Sequence, residues 1–204
     1  MITETYRSVA STFISLLSVK NSKFIAVIFP CSSLDNFKIE LSQLKKQHPK
    51  ASHFCHAIAV KENEISFRSS DDGEPSGTAG LPILGQLKSA QLLQVGIVVI
   101  RYYGGTKLGA SGLIQAYKES ARLVIESSDV IVIEQKIRIE IQGEYGVLMG
   151  IVSRCAKYKW KAEVKVKIDN TYQMEIITLE SEKNKVNEMI SKINDISFEI
   201  YIFN

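Results

Sequence analysis

Three carboxylates stand within four residues of one another near the middle of the chain. Asp71, Asp72 and Glu74 open the segment DDGEPSGTAG, which lies between a predicted strand and a predicted helix. These carboxylates repel one another unless a metal cation, basic side chains or backbone N–H groups compensate their charge. The segment is therefore predicted to bind a ligand or to pair with cations of the protein itself.

Small residues complete this segment. Ser76 or Thr78 is predicted to cap the following helix, and Gly77 permits a backbone shape closed to other residues. The free N–H groups of a helix N-terminus attract anions, which favours ligand binding. A structural role is the alternative, because acidic residues ahead of a helix also complement its dipole without any ligand.

A second segment, RYYGGTKLGASG, joins an apolar run to another predicted helix. A strand, a glycine-rich turn and a helix N-terminus can together cradle a phosphate. The standard nucleotide-binding fingerprints GxxxxGK[ST] and GxGxxG are both absent. The candidate ligand-binding residues in this segment are Arg101, Tyr102, Gly104, Gly105, Lys107, Gly109, Ser111 and Gly112.

Hydrophobic patterning predicts the elements that position both segments. Apolar or β-branched runs indicate strands, and apolar residues spaced three and four apart indicate helices. In the first part of the chain, strands are predicted over 22–29, 53–60, 65–68 and 95–102, and helices over 33–47, 81–93 and 108–126. The strands over 53–60 and 65–68 are predicted to form a hairpin with its turn at 61–64. Each candidate segment therefore joins a strand to a helix.

The rest of the chain has a regular order of predicted elements. Strands are predicted over 130–141, 160–168, 172–180 and 196–203, with a short turn at 169–170 pairing the second and third, and helices over 144–158 and 182–194. The order βαββαβ is that of a ferredoxin-like domain. We therefore predict an α+β protein of two domains, residues 1–128 and 129–204.

Lysines alternate with other residues around the second predicted strand of this domain. They are Lys157, Lys159, Lys161, Lys165 and Lys167. A period of two places them on one face of an extended strand. A solvated sheet face or a sheet edge protected by lysine is the favoured explanation, and a weak RNA-facing stripe is the alternative.

The composition predicts a soluble cytoplasmic protein. The net charge is +3, divided as +4 over the first 128 residues and −1 over the rest, so neither part is a strongly basic nucleic-acid footprint. Cys31, Cys55 and Cys155 form no CxxC pair, which predicts reduced thiols. No apolar run approaches the length that spans a bilayer. His53 and Cys55 share a predicted strand face without a full ligand set, so neither metal nor cofactor is predicted.

These segments resemble the signature of the YigZ/Impact family. The resemblance rests on DDGEPSGTAG (71–80) followed by VVIRYYGGTKLGASGLIQAY (98–117), with SKFIA (22–26) and HPKASHFCHA (48–57) ahead of them. Where the family has His-x-Cys-Tyr-Ala, this chain has His56 in place of the tyrosine. Agreement in order covers most of the first predicted domain.

The resemblance implies a first domain similar to domain 2 of ribosomal protein S5, with two helices on a four-stranded sheet. It also implies a ferredoxin-like second domain. This pair is similar to domains IV and V of elongation factor G, which act on the ribosome. Eukaryotic Impact proteins are linked to control of translation through partner binding, and no catalytic activity is firmly attached to the bacterial group.

Three functions are consistent with these observations. The first is a binding protein associated with translation that contacts RNA, the ribosome or a translation factor through the basic glycine-rich loop, with the acidic residues orienting Arg101 or Lys107. The second is a protein–protein adaptor in translation regulation. The third is a Mg²⁺-dependent phosphate-ester hydrolase or transferase in which the carboxylates hold the metal. The sequence offers no convincing nucleophile or base, which favours binding over catalysis.

Overall fold

The computed structural model describes residues 5–61, 64–168, 171–194 and 196–203, with side chains at all of these except 166–168, 171, 202 and 203. The chain divides into two compact units. One unit holds residues 7–132, and the other holds residues 133–204 together with the N-terminal segment up to Tyr6.

The first ten elements along the chain are β1 (Thr5–Val9), β2 (Phe13–Val19), β3 (Ser22–Pro30), α1 (Leu34–Gln47), β4 (His53–Lys61), β5 (Ile65–Ser70), α2 (Gly80–Ser89), β6 (Val95–Tyr102), α3 (Gly109–Glu126) and β7 (Val130–Glu134). Five of the strands form an antiparallel sheet in the order β2-β3-β6-β4-β5. β6 is its central strand and is almost wholly buried, as its continuous apolar run predicts. β1 and β7 form a separate two-stranded sheet.

Helices cover both faces of the five-stranded sheet. Phe37 of α1 packs on one face, in the same buried cluster as Ile100 of β6. Because strand residues alternate between faces, Arg101 and its cross-strand neighbour Phe24 lie on the opposite face. On that face the Tyr117 ring of α3 meets the Phe24 ring edge-on, with 5.2 Å between the ring centroids.

This architecture corrects the expectation of two helices on a four-stranded sheet. β2 is a fifth strand, and α1 is a third helix on the second face of the sheet. The sequence pattern did not predict β2, because it is an edge strand whose Ile14 and Leu16 are largely exposed. Its position is fixed by pairing with β3, which local patterning does not encode.

The helix predicted over 33–47 is confirmed as α1, and the residues at its two ends stabilise its start and its end. Ser33 is the N-cap, and its side chain accepts a hydrogen bond from the Asn36 N–H at 3.1 Å. Asp35 lies in the first turn and Lys45 and Lys46 in the last, each where its charge complements the helix dipole.

Other predicted bounds differ by a few residues. The strand predicted over 95–102 has those bounds, and β4 and β5 form the predicted hairpin. Residues 62 and 63 of its turn lie outside the described residues. α2 ends at Ser89 rather than at residue 93, because the chain turns at Gln91, whose φ is +54°, and the Leu92 N–H bonds back to the Leu87 carbonyl at 3.1 Å.

The second unit contains β8 (Lys136–Gly143), α4 (Tyr145–Lys157), β9 (Lys161–Ile168), β10 (Thr171–Leu179), α5 (Lys183–Ile190) and β11 (Ile196–Phe203). Its strands form an antiparallel sheet in the order β11-β8-β10-β9. Leu148 of α4 and Val186 of α5 join Ile139 and Ile176 of the sheet in one buried cluster. From β8 onward the observed order of elements is the predicted βαββαβ.

Three predictions for this unit are wrong in detail. The strand predicted over 130–141 is two strands interrupted at Gln135, whose carbonyl accepts the Glu180 N–H at 2.9 Å. The last helix ends at Ile190 rather than at residue 194. The lysines do not share one strand, because Lys157 ends α4 and Lys159 lies in the turn before β9. The predicted turn at 169–170 and the side chain of Lys167 lie outside the described residues.

No helix within the described ranges combines the length and the apolar character needed to cross a bilayer.

Candidate functional site

The Asp71 carboxylate closes the N-terminus of α2. One carboxylate oxygen accepts the Ala79 and Gly80 N–H groups at 2.9 and 2.8 Å, and the other accepts the Gly77 N–H at 2.9 Å. Gly80 is the first residue of α2 and Ala79 its N-cap residue, so their N–H groups belong to the helix start, which leaves such donors unpaired. Asp71 therefore caps the helix from eight residues before its N-cap residue, which makes its role structural.

The prediction that Ser76 or Thr78 caps α2 is wrong. Ala79 is the N-cap residue, and its side chain makes no capping hydrogen bond. The Thr78 hydroxyl instead donates to the Pro75 carbonyl at 2.7 Å, and Ser76 is exposed. The larger Asp71 carboxylate reaches donors that each hydroxyl was predicted to satisfy.

We expect Asp71→Asn to lower the free energy of unfolding by about 2 kcal/mol at neutral pH, because three N–H donors lose an ionised acceptor. Burial acts to raise the pKa of Asp71, but hydrogen bonds from Gly77, Gly80 and Ala79 outweigh it, so the pKa lies below its ordinary value. A lowered folded pKa stabilises the protein above the unfolded value of about 3.9, and that contribution disappears as pH falls through the folded pKa.

Urea unfolding across a pH series measures this effect. The difference between wild type and Asp71→Asn should be full at neutral pH and should shrink below about pH 4. A difference that stays constant down to acidic pH would show that the carboxylate charge is not what stabilises the helix start.

Asp72 fixes the neighbouring turn to β4. Its carboxylate accepts the Phe54 N–H at 2.7 Å and contacts the Lys45 ammonium at 3.4 Å. Its carbonyl oxygen accepts a hydrogen bond from His53 Nδ1 at 2.9 Å. Asp72 thus orients the His53 ring instead of Arg101 or Lys107.

Glu74 alone of the three carboxylates pairs with Arg101. Its Oε1 accepts Arg101 Nη1 at 2.5 Å and the Tyr117 hydroxyl at 2.8 Å. The side chains of Arg101 and Glu74 are only 5% and 4% exposed. The guanidinium lies 5.4 Å from the Phe24 ring centroid and 5.3 Å from that of Tyr103, in cation–π contact with both. Arg101 Nε is buried and forms no hydrogen bond with any described residue.

A cavity of about 490 Å³ opens beside this buried pair, and we call it the Arg101 pocket. It is lined by His53, Glu74, Pro75, Arg101, Tyr103, Lys107, Leu108, Gly109, Ala110 and Leu113. Predicted site residues from both segments therefore meet here: Glu74 from the first, and Arg101, Lys107 and Gly109 from the second. Charged groups of both signs and the apolar side chains of Leu108 and Leu113 line the same space.

The remaining predicted residues are not part of the pocket lining. They are Asp71, Asp72, Ser76, Gly77, Thr78, Tyr102, Gly104, Gly105, Ser111 and Gly112. Tyr102 faces the α1 side of the sheet, where its hydroxyl lies 2.9 Å from His48 Nδ1. The Gly104 N–H donates to the Ser22 hydroxyl at 3.2 Å, which ties the loop after β6 to the start of β3.

The N-terminus of α3 reaches the same pocket. Leu108 is its N-cap residue and makes no side-chain cap, no described side chain accepts a hydrogen bond from the first-turn N–H groups, and the first turn carries no acidic residue. Its first N–H groups are therefore available to an anion. Lys107 is exposed immediately before this helix and forms no ion pair with a described residue.

Among the pocket residues that sequence reasoning did not select, His53 carries an imidazole side chain. Because Nδ1 donates to the Asp72 carbonyl, Nε2 is the nitrogen turned toward Glu74, with 3.9 Å to Glu74 Oε1. A histidine placed in this way accepts a proton or donates one at Nε2. The sequence did contain a signal, since His53 shares a strand face with Cys55 and opens the strand next to β6. His56 lies on the other face, with its ring 5.0 Å from that of Phe37.

Cys55 lies beside this site, and its thiol is not activated as a nucleophile. Its thiol donates to the Asp71 carbonyl at 2.9 Å. Burial raises the pKa of the Cys55 thiol to about 12, and nearby carboxylates add to the rise while a hydrogen bond with Tyr117 opposes it. The neutral thiol is therefore the form present at physiological pH, which does not suit a nucleophile.

The three carboxylates do not form a metal-binding cluster. Asp71 contacts backbone donors of α2, Asp72 contacts β4 and Lys45, and Glu74 contacts Arg101 and Tyr117. Across the described ranges, no three His, Cys, Asp or Glu side chains converge in a way that could hold a metal ion. Backbone donors and two cations of the protein itself, Lys45 and Arg101, compensate the crowded charge.

Three of the lysines, Lys161, Lys165 and Lys167, lie on β9, an edge strand of the second sheet. Lys161 and Lys165 are exposed on the face that also carries Glu175 of β10. Glu175 pairs with Lys165 and, at 3.0 Å, with Arg138. The hydrogen bond from Lys165 is the main reason that the pKa of Glu175 lies below its ordinary value, despite the opposing effect of burial. Positive charge on this face is therefore partly neutralised.

The sequence around the Arg101 pocket matches a known protein family. The Impact N-terminal domain model matches residues 20–125, more than half of the chain, and this range includes every residue that lines the pocket. The chain belongs to the Impact family. The resemblance to YigZ/Impact proteins inferred from the sequence motifs is thereby confirmed.

Curated relatives carry the same family name. An IMPACT family member from Haemophilus influenzae is 35% identical, and the match covers 69% of this chain and 69% of that protein. IMPACT family member YvyE from Bacillus subtilis is 39% identical, and the match covers 72% of this chain and 61% of that protein. The alignments thus span six to seven tenths of these two relatives.

A solved structure supports the fold of this Impact family member. The crystal structure of a hypothetical protein superposes with a TM-score of 0.67 and 24% sequence identity, covering 100% of this chain and 99% of that chain. At this level of identity the likeness concerns the fold alone. It supports a mixed α and β architecture over the whole chain length.

Proposed function

We propose that this Impact family member is a binding protein of translation whose Arg101 pocket contacts a phosphate group of RNA. The observation that carries the proposal is the convergence of three donors on one cavity. Arg101 is buried there and its Nε has no partner among the described residues, Lys107 lines the same cavity, and no described side chain caps the N-terminus of α3. Each of these groups favours an anion.

The small net positive charge of the pocket suits weak binding of one phosphate, with further contacts made along the same polyanion. Glu74 neutralises Arg101, so the net attraction comes from Lys107 and from the dipole of α3. One such pocket neutralises about one phosphate. Tight binding then requires further contacts along a polyanion, which favours RNA over a small phosphate ester.

The family resemblance supplies the setting in translation. The strand order of the second unit, with α4 and α5 packed on one core, supports a ferredoxin-like domain over residues 129–204. The antiparallel sheet of the first unit supports an S5 domain 2-like domain over residues 1–128, extended by one strand and one helix. The free thiols Cys31, Cys55 and Cys155 support a reducing, cytoplasmic environment.

An adaptor role is the second candidate, and a separate surface favours it. Ile14 and Leu16 on the edge strand β2 are 65% and 61% exposed. An edge strand with exposed apolar side chains can pair with a strand of another protein. A partner that stays bound after nuclease treatment, and is lost with Ile14→Lys, would favour this function over RNA binding.

Sedimentation of the protein with ribosomes across a salt series tests the RNA proposal. We expect co-migration that disappears with ribonuclease and weakens as salt rises. Lys107→Ala should reduce binding similarly across RNA sequences. It should also make the negative slope of log K against log salt concentration shallower by about 0.7–0.9.

Lys118→Ala is the matched control, because Lys118 is an exposed lysine of α3 outside the pocket lining. Equal effects of the two substitutions would assign the attraction to general surface charge. Unchanged affinity and salt slope with Lys107→Ala would contradict a phosphate contact in the pocket.

A further inference from the structure

A second concave site lies within the unit that holds residues 133–204. It has a volume of about 600 Å³ and is bounded by the turn before β9, by β10 and by the start of α5. Tyr158 and four lysines, Lys136, Lys159, Lys161 and Lys185, contribute to its walls. We call it the Tyr158 site. It is separate from the Arg101 pocket and shares no residue with it.

Tyr158 forms a rigid aromatic platform. Its ring stacks on Trp160, with 4.5 Å between the centroids and 17° between the planes. Trp160 is only 7% exposed and belongs to the buried cluster of this unit, whereas Tyr158 is 53% exposed. Because Trp160 covers one face of the tyrosine, the exposed area belongs to the ring edges and the opposite face. A flat π surface is thus held in place toward solvent.

The charge around this platform is strongly one-sided. The lining contains four lysines and one glutamate. Glu182 pairs with Lys185 at 2.9 Å. Lys136, Lys159 and Lys161 form no salt bridge with any described residue. Positive charge therefore surrounds the exposed aromatic ring, although the unit as a whole is not basic.

The backbone at Lys159 adds an independent observation. Its φ is +58°, in the left-handed region that glycine and asparagine adopt more readily than lysine. The Lys159 N–H bonds to the Ala156 carbonyl at 3.2 Å, and Lys159 directly follows Tyr158, the C-cap residue of α4. Lysine is unfavourable for the backbone here, which points to a role for its side chain.

We propose that the Tyr158 site binds a single-stranded polynucleotide. One base stacks on the exposed face of Tyr158, and Lys136, Lys159 and Lys161 contact the neighbouring phosphates. Base stacking on an aromatic ring combined with lysines along the backbone is the physical basis of sequence-tolerant single-strand binding. A duplex does not fit, because its bases are already stacked on one another. This inference goes beyond RNA contact at the Arg101 pocket and stands without it.

The site contains its own reporter, because Trp160 is the only tryptophan of the chain. Titration of the full chain with oligo(rU) or oligo(dT) should change the tryptophan emission until binding is saturated. Inorganic polyphosphate is the control ligand, because it carries the phosphate charge but no nucleobase. We expect the oligonucleotides to bind at least about tenfold more tightly than polyphosphate of equal charge. Tighter binding of oligo(rU) would identify RNA as the source, and equal or tighter binding of oligo(dT) would extend the ligand to DNA.

Anisotropy of labelled oligonucleotides then separates stacking from charge. Tyr158→Ala should weaken binding by roughly 5- to 100-fold, and Tyr158→Phe, which keeps the ring, should bind nearly as wild type does. Lys161→Ala should lower the salt slope by about 0.7. Lys157→Ala is the control, because Lys157 is an exposed neighbouring lysine outside the site.

Three results would overturn the proposal. In the first, polyphosphate and oligonucleotides bind equally well and Tyr158→Ala does not change their affinities. This result would indicate a general anion-binding surface. The second is binding of acidic peptides but of no oligonucleotide. The third is an oligonucleotide affinity that depends on Lys107 and not on Tyr158, which would support the Arg101 pocket and remove this site.

Discussion

Glu74→Ala is expected to lower the free energy of unfolding by about 3–5 kcal/mol, because it leaves the buried Arg101 guanidinium without its counter-charge. The pair is almost inaccessible to solvent, and Glu74 Oε1 also accepts the Tyr117 hydroxyl. Loss of Glu74 therefore removes the acceptor of both donors at once. Urea unfolding monitored by circular dichroism measures the loss.

Two further variants sharpen this test. Glu126→Ala removes the partner of Arg122 in an exposed ion pair of α3 and should change stability far less. The double variant Glu74→Leu with Arg101→Met removes both buried charges together, so it should be more stable than Glu74→Ala alone. If Glu74→Ala costs no more than Glu126→Ala, the buried pair does not depend on its carboxylate.

Gly104→Ala is expected to cost about 3 kcal/mol and to displace the loop between β6 and α3. A Cβ at Gly104 would lie 2.0 Å from the backbone carbon and oxygen of Asn21. Main-chain atoms cannot move aside as a flexible side chain does, so the whole loop must shift. Because Lys107 belongs to this loop, the phosphate contact proposed for the Arg101 pocket should weaken together with stability.

Two other glycines distinguish the steric clash of a new Cβ from the cost of an unfavourable backbone φ. Gly105 has a φ of +81° but open space around it, so Gly105→Ala should cost only about 1–2 kcal/mol. Gly85 lies inside α2 with open space, and Gly85→Ala should stabilise the protein by up to about 1 kcal/mol. Equal losses for Gly104→Ala and Gly105→Ala, measured by thermal unfolding, would exclude the steric explanation.

Most elements could be predicted because their signals are local. The continuous apolar run of β6 predicted a buried strand, and the spacing of Leu34, Phe37, Leu41 and Leu44 predicted α1. Errors occur where tertiary contacts decide. β2 exists through pairing with β3, and the break at Gln135 coincides with a hydrogen bond from Glu180, far along the chain.

The sequence by itself determined the family, the order of most elements and the two segments that meet at the Arg101 pocket. Only the tertiary structure decided how the three carboxylates divide their roles. Asp71 caps α2, Asp72 orients His53, and Glu74 pairs with Arg101. Neighbours in sequence differ in this way because the turn points each side chain in its own direction. The partner of each carboxylate is then set by the nearest donor without another acceptor, whether a helix N–H, a strand N–H or a buried guanidinium.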